Sequence, residues 1–476
     1  MSTDNIPVRI IRRKLTLMPL VFILFFTVSG GAYGLEDLVG ASGPGMALLL
    51  ILVTPLIWSL PVALMVAELS TAMPVQGGYY AWSKRALGPM GGFLEGWWSW
   101  MTSWVDMAIY PVLFADYLST LLVQQFDYHL LEESELAHWL VTLVIIWLFA
   151  YLNMRGSKVI GDSSNLFGLF ILAPFAVMSA IGIWNWFSNP TPIWRPLIPA
   201  DSTVAGAFGV GLFVVMWNYL GWDNVSTVAG EMDNPKKDYP RALAVTIPLV
   251  TLAYLLPVWG GLASSPDWAG WTAGYFPQVA ENVGGKWLGA WLAIGGLVSA
   301  VGLYSAIMLS ISRLPFVMAE DGWLPRFITK IHPVYDTPYM SILTCAFIYS
   351  FFTLSAFSSL VVVDVMLYST ALTVEFISLV VLRIKEPNMK RPFKVPGGWL
   401  GIAIICILPA FVLVLAVIST VQEEGIGALW MSLAAIATGP IAYFVLKVLV
   451  KKDQPTLAVP IEYEAGYESK IEGQLS

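Results

Sequence analysis

Charge is what this sequence has least of. Aspartate, glutamate, lysine and arginine make up only 12% of its 476 residues, about half the share usual in soluble globular chains. A water-soluble fold of this length needs more charge on its surface, so a soluble enzyme or soluble binding module is excluded. Cysteine is nearly missing too. Cys345 and Cys406 both sit inside apolar runs, which excludes a disulfide framework and predicts reduced, packed thiols. The three histidines (His129, His138 and His332) lie outside the apolar cores, and no His-Glu-x-x-His occurs, so an intramembrane zinc protease is excluded. The Tyr-Asp and Gly-x-Gly-Asp pair of an aspartyl intramembrane protease is absent from the apolar runs as well. No metal and no cofactor are expected. The net charge of −7 offers no basic surface to a nucleic acid, and none is expected as a partner.

Apolar residues are abundant instead, at 57%, with 21 tryptophans. Runs long enough to cross a bilayer, which takes about 20 residues, recur from end to end. There are twelve, at 15–40, 46–72, 90–122, 137–154, 163–187, 203–231, 241–264, 285–318, 339–356, 360–383, 399–421 and 426–450. The expected fold class is therefore an all-α polytopic membrane protein of twelve transmembrane helices, with no separate soluble domain. The third and eighth runs are long, which predicts tilt or extension beyond the lipid. The stretch after Arg12-Arg13-Lys14 is too long for a secretory signal and leads into another span, so it reads as a retained first helix.

Orientation follows from the basic residues. With the N-terminus placed inside, Arg9, Arg12, Arg13, Lys14, Lys84, Arg85, Arg155, Lys158, Lys236, Lys237 and Arg241 all fall on the cytoplasmic side. The dense Arg383–Lys394 loop and Lys447, Lys451 and Lys452 join them. Only Arg195 and Lys286 fall outside, where Glu132, Glu133, Glu135, Glu423 and Glu424 collect. This bias puts both termini in the cytoplasm, and the expected location is the plasma (inner) membrane.

Two spans have an unusual interior. The first contains Ser29-Gly30-Gly31-Ala32-Tyr33-Gly34, and the sixth contains Asn218-Tyr219-Leu220-Gly221-Trp222-Asp223. Interrupted helices at matching places in two halves are the sequence mark of a secondary transporter's binding site. Span six has to start from the side opposite to span one, as an odd repeat unit of five helices requires. The organisation expected is a five-plus-five inverted repeat with broken helices 1 and 6. Residues 1–14 form a cytoplasmic N-terminus, 15–187 the first repeat and 188–383 the second. Helices 11 and 12 occupy 384–450, and 451–476 is a disordered cytoplasmic tail. The blander reading of Gly30-Gly31 is close helix packing.

Three stretches that close spans two, six and eight carry a family resemblance. They are Ala67-Glu68-Leu69 with Gly77-Gly78-Tyr79-Tyr80-Ala81-Trp82, Glu231…Asn234-Pro235…Pro240-Arg241-Ala242, and Ser312-Arg313 with Met318–Pro325. At these places the sequence resembles the amino acid–polyamine–organocation superfamily of permeases. Ser29-Gly30-Gly31 with Gly34…Glu36-Asp37, Asp106…Tyr110-Pro111, and Trp217-Asn218…Trp222-Asp223 look like its polyamine-uptake branch. The resemblance implies proton-coupled import of a cationic or zwitterionic amine.

A polyamine presents ammonium groups separated by methylenes, so its site needs spaced carboxylates with aromatic faces between them. Asp106, midway along span three, Asp223, after the break in span six, and Glu375, inside span ten, supply candidate carboxylates. Asp364, Tyr368 and Glu375 share one helical face. Tyr33, Tyr110, Trp217 and Trp222 supply aromatic surface, and Gly30, Gly31 and Asn218 the opened backbone. Each acid also has a structural reading. Asp106 can bond neighbouring backbone, Asp223 can cap the second half-helix, and Glu375 can pair with an intramembrane donor. Glu36 and Asp37 lie toward the outer end, suited to an outer gate or vestibule. Glu68 and Glu231 lie toward the cytoplasm, where ion pairs with Lys84, Arg85 or Arg241 are expected. Trp97, Trp98, Trp100 and Trp104 read as interface belt or packing.

Two points stay open on the sequence alone. Open N–H groups at the Gly30–Gly34 turn suit an amino acid's carboxylate as well as open carbonyls suit an ammonium. The alternative substrate is therefore a cationic or neutral amino acid, taken up by symport or exchange. The coupling ion is expected to be a proton, with sodium as the alternative, because Phe167–Ile183 of span five has no ionisable residue. A channel would show a filter loop or charged rings instead, and a nutrient sensor built on the same fold would carry a longer soluble tail.

Overall fold

The computed structural model describes residues 17–73, 78–155, 164–224, 226, 235–265, 267–335, 337–354, 357–424 and 429–449. Every regular element among them is a helix. The first run is split into α1 (Leu17–Val28) and α2 (Leu35–Ser42). The break follows from Gly31, whose φ of 106° an L side chain rarely adopts. Next come α3 (Pro44–Ala72), α4 (Gly78–Phe126), α5 (Glu135–Met154), α6 (Ser164–Ser188) and α7 (Val204–Asn218). α3 contains one π turn at Pro55–Ser59, and α4 bends at Gly88-Pro89. α7 stops where Gly221 takes a φ of 92°, so the sixth run is interrupted where the sequence predicted. Its continuation, with Glu231, lies outside the described residues. The chain goes on as α8 (Pro235–Ser264), α9 (Phe276–Gly284), α10 (Lys286–Ile311) and α11 (Arg313–Glu320). It ends in α12 (Tyr339–Phe352), α13 (Phe357–Lys385), α14 (Gly398–Glu424) and α15 (Trp430–Leu449).

Among the described residues nine helices are long and apolar enough to cross a membrane, rather than twelve. The difference has a local cause. Runs one and six are broken by their glycines, and run nine folds into the 14 residues of α12. α7 and α12 are shorter apolar helices. The terminal segments 1–14 and 451–476 lie outside the described residues.

α4 packs along α13 and α10, while α6 lies on α8 and α1 on α8. Small residues permit the closest of these approaches. A Cβ on Gly182 of α6 would sit 2.1 Å from the Gly260 carbonyl oxygen of α8, and glycine contacts of this kind replace hydrophobic attraction inside a membrane. α13 is the most buried of the spans, whereas α14 and α15 expose most of their apolar surface. The core is thus built around α4, α10 and α13, with the last two helices at its edge. Trp98 and Trp100 of α4 are buried in it. Trp97 donates to the Thr438 hydroxyl of α15, and Trp98 to the Ile436 carbonyl. These tryptophans pack rather than form a belt. Cys345 and Cys406 are free.

The Arg383–Lys394 loop tests the orientation. A Lys390→Cys variant, in a background lacking Cys345 and Cys406, is expected to escape an impermeant maleimide applied to intact cells. Lys390 is exposed, so labelling from outside would reverse the topology.

Candidate functional site

The two broken segments face a cavity at the centre of the bundle. Gly30, Gly31 and Tyr33 line it from the first break, and Trp217, Asn218 and Asp223 from the second. Asp106 and Tyr110 line it from α4. Two predicted residues do not reach it. Trp222 is only 1% exposed and points into the packing. Glu375 is buried at 1% behind the cavity wall. Their side-chain directions depend on backbone turns that residue spacing does not fix.

Gly30 and Gly31 divide the two readings of a glycine pair between them. A Cβ on Gly30 would lie 2.3 Å from Leu303 and 2.8 Å from the Ser299 hydroxyl, which itself donates to the Gly30 carbonyl at 2.6 Å. Gly30 is therefore a packing contact with α10. Gly31 supplies the positive φ. The N–H of Gly31 donates to the Ser29 hydroxyl, and that of Gly34 to Glu36. Two of the donors that could have held a substrate carboxylate are thus already engaged.

Carboxylates dominate the polar chemistry of the cavity. Asp106 accepts from the Tyr110 hydroxyl at 3.2 Å and from the Trp217 ring N–H at 3.3 Å. The Tyr110 and Trp217 rings stand 6.4 Å apart beside it. Asp364 of α13 is in electrostatic contact with Asp106, and neither of its oxygens has a hydrogen-bond partner among the described residues. Asp223 is held differently. The Tyr368 hydroxyl donates to it, while that same oxygen accepts from the Gly221 N–H at 3.1 Å. Tyr368 thereby ties the carboxylate to the break. The N–H groups of Asp223 and Asn224 also point at the carboxylate; the half-helix that Asp223 was expected to cap lies outside the described residues. Sequence reasoning put Asp364 and Tyr368 on one face of α13 but left both out of the site. The four-residue spacing was the available signal. Glu95 of α4, buried off the cavity and in electrostatic contact with Asp223, drew no attention in the sequence, because an isolated acid near the start of an apolar run looks like an interfacial residue.

Outside the cavity, Glu36 braces the first break. Its carboxylate accepts from the Gly34 N–H at 2.7 Å, the Tyr117 hydroxyl at 2.5 Å and the Phe276 N–H at 3.2 Å. It is fully buried, and so not open to a vestibule. Asp37 is half-buried and faces Asp116, whose partner is His138 at 2.9 Å. Tyr33 is clasped edge-on between Tyr117 and Phe175 and donates to the Leu292 carbonyl.

At the end of the bundle expected to face the cytoplasm, Glu68 is not recorded in a pair with Lys84, Arg85 or Arg241. It is held by Arg383, by Arg391 at 3.3 Å, and by the Val395 N–H at 2.7 Å. Lys84 pairs with Asp321 at 2.6 Å, and Arg85 with Glu386 at 2.7 Å. Nearness in sequence suggested the wrong partners, since the end of α3 meets the end of α13 across the bundle. Glu231, expected beside these groups, lies outside the described residues. A Glu68→Gln variant leaves two arginines short of a full charge. It is expected to cost about 1–3 kcal/mol, read as a melting temperature lowered by a few degrees in detergent. An unchanged melting temperature would show the cluster to be idle.

Comparison with known proteins decides the lineage. A family profile described as amino acid permease matches residues 20–438. The chain belongs to this permease family. Polyamine transporter RMV1 of Arabidopsis thaliana is 36% identical over 444 residues, covering 92% of this chain and 86% of that one. Polyamine transporter PUT1 of Oryza sativa subsp. japonica is 35% identical, covering 92% and 80%. Branched-chain amino acid permease BcaP of Bacillus subtilis (strain 168) is 23% identical, covering 81% and 84%. Within the amino acid–polyamine–organocation superfamily, the plant relatives put the permease in the polyamine branch. It is an integral membrane transporter and not an enzyme.

Proposed function

We propose that the permease imports polyamines of the putrescine and spermidine kind, together with protons, by alternating access around the central cavity. The observation that carries this reading is the pairing of two acidic stations in one aromatic-walled space. One is Asp106 with Asp364, beside Tyr110 and Trp217; the other is Asp223, held by Tyr368. Asp364 and Tyr368 are four residues apart on α13, so the stations are offset by roughly 6 Å along its axis. That is of the order of the nitrogen separation across a four-carbon chain. An ammonium between Asp106 and Asp364 supplies what two neighbouring buried carboxylates lack, and the rings give its methylenes and charge a surface. In this reading Gly30, Gly31, Tyr33 and Asn218 shape the cavity, and Glu36, Asp37, Glu68 and Glu231 serve the outer and inner closures. The frame is twelve spans in a five-plus-five inverted repeat, set in the plasma membrane with both ends in the cytoplasm.

The second reading is an amino acid permease, by symport or exchange, favoured by the likeness to BcaP. The engaged N–H groups of Gly31 and Gly34 weigh against it, because an amino acid needs donors for its carboxylate. Uptake of labelled putrescine, spermidine, arginine and leucine into proteoliposomes, under imposed proton or sodium gradients, separates the two. Uptake of leucine or arginine without putrescine or spermidine would replace the polyamine reading.

A further inference from the structure

One acidic pair has no place in the substrate site. Glu95 of α4 and Glu375 of α13 are buried at 0% and 1%, each in electrostatic contact with the other and with Asp223. The Ser99 hydroxyl donates to one oxygen of Glu95 at 2.9 Å. The other oxygen of Glu95 and one oxygen of Glu375 have no partner among the described residues. The groups facing the pair are Ser99 and Tyr79 from its own helix, Tyr368 from α13 and Asp223 from the second break. None of these is a cation. Ser99, Tyr79, Tyr368 and Asp223 line the cavity, whereas Glu95 and Glu375 do not. A substrate ammonium in the cavity is therefore screened from the pair by one layer of side chains, but a proton can pass a hydroxyl.

The pair also sits on a polar line that runs along α13. Asp364 and Tyr368 face the cavity and Glu375 lies about two turns further on. Ser378 follows, accepted by the Ser83 hydroxyl at 3.2 Å, and then Arg383 in the Glu68 cluster. Spacings of four, seven and three keep the first four residues on one helical side. Among the described residues no cation is recorded facing the pair, and two buried carboxylates in electrostatic contact leave a proton as the positive charge that they can share.

Resting on the reading of the permease as a gradient-driven transporter, we propose that Glu95 and Glu375 form the proton-carrying site, separate from the substrate cavity. One proton from the outer water is bound between the two carboxylates with the loaded carrier, and is released past Ser378 and Ser83 to the cytoplasmic water. The pair is left with one more negative charge until the return step.

Glu95→Gln and Glu375→Gln remove the exchangeable proton and keep the shape. In proteoliposomes with an inward proton gradient, the native permease is expected to concentrate labelled spermidine about tenfold per pH unit for each proton moved. Each Gln variant is expected to fall to the level seen without a gradient, while spermidine affinity and spermidine–spermidine counterflow stay within twofold. Glu95→Asp, which restores a titratable group, is expected to recover gradient-driven uptake. Undiminished gradient-driven accumulation in both Gln variants overturns the proposal. So does loss of counterflow together with accumulation, which marks a structural role, and so does a native permease indifferent to the proton gradient. A native permease that concentrates leucine but not spermidine under the gradient overturns the polyamine reading instead, and the same variants then test the pair with leucine.

Discussion

Asp106→Asn is expected to weaken putrescine and spermidine binding by roughly 30- to 4000-fold, the equivalent of about 2–5 kcal/mol for one partner removed from a desolvated charge contact. The substitution is mild for the fold. An Asn oxygen still accepts from the Tyr110 hydroxyl and the Trp217 ring N–H, the two groups that donate to the Asp106 carboxylate among the described residues. What disappears is the charge shared with Asp364. Asp364→Asn is expected to act alike, since neither Asp364 oxygen has a hydrogen-bond partner among the described residues to lose. The informative measurement compares a diamine with its mono-amine analogue in both variants. The diamine has an ammonium for each station, so the native permease should prefer it, and either substitution should erase most of that preference. A native permease with no preference for the diamine would remove the basis for two stations. Equal loss for every ligand would make Asp106 a structural residue.

Gly31→Leu is expected to abolish substrate binding while the protein remains folded and monodisperse. Two effects coincide at this position. The φ of 106° costs an L residue roughly 1–2 kcal/mol, and a Cβ would lie 3.1 Å from Phe175 and 3.2 Å from Tyr33. The rest of a leucine side chain has to enter the cavity that Gly31 lines or displace Tyr33 from its edge contacts. Gly31→Ala separates these effects. It carries the same backbone strain with little bulk, and should bind weakly rather than not at all. Substrate affinity near normal in purified Gly31→Leu would show that the first break is not part of the site.

The all-helical class and the two interruptions were legible in the sequence because each has a local cause. A run of 20 apolar residues has few alternatives to a spanning helix. The two breaks fall at glycines that take a positive φ, Gly31 and Gly221, whereas a Gly-Gly step such as Gly295-Gly296 stays within a regular helix. The acids at 106 and 223 stood out for the same reason, since a charge in an apolar run needs explanation wherever the run is placed. The family resemblance was visible from short segments, each at the end of a helix.

Partners were not legible, and they decided the details of the site. Glu68 could be seen to need a cation, but only the meeting of α3 with α13 chose Arg383 and Arg391 over Lys84 and Arg85. Glu36 looked like a vestibule acid until the fold brought Tyr117 and Phe276 to it from 81 and 240 residues away. Asp364 and Glu375 share a helical face, yet the packing of α13 along α4 put Asp364 on the cavity wall and left Glu375 buried off it. A sequence by itself determines which residues must be buried, because burial follows from composition along one helix. Which charge faces which other charge is fixed only by helix packing, where contacts between residues hundreds of positions apart are set by the shapes of all the helices together.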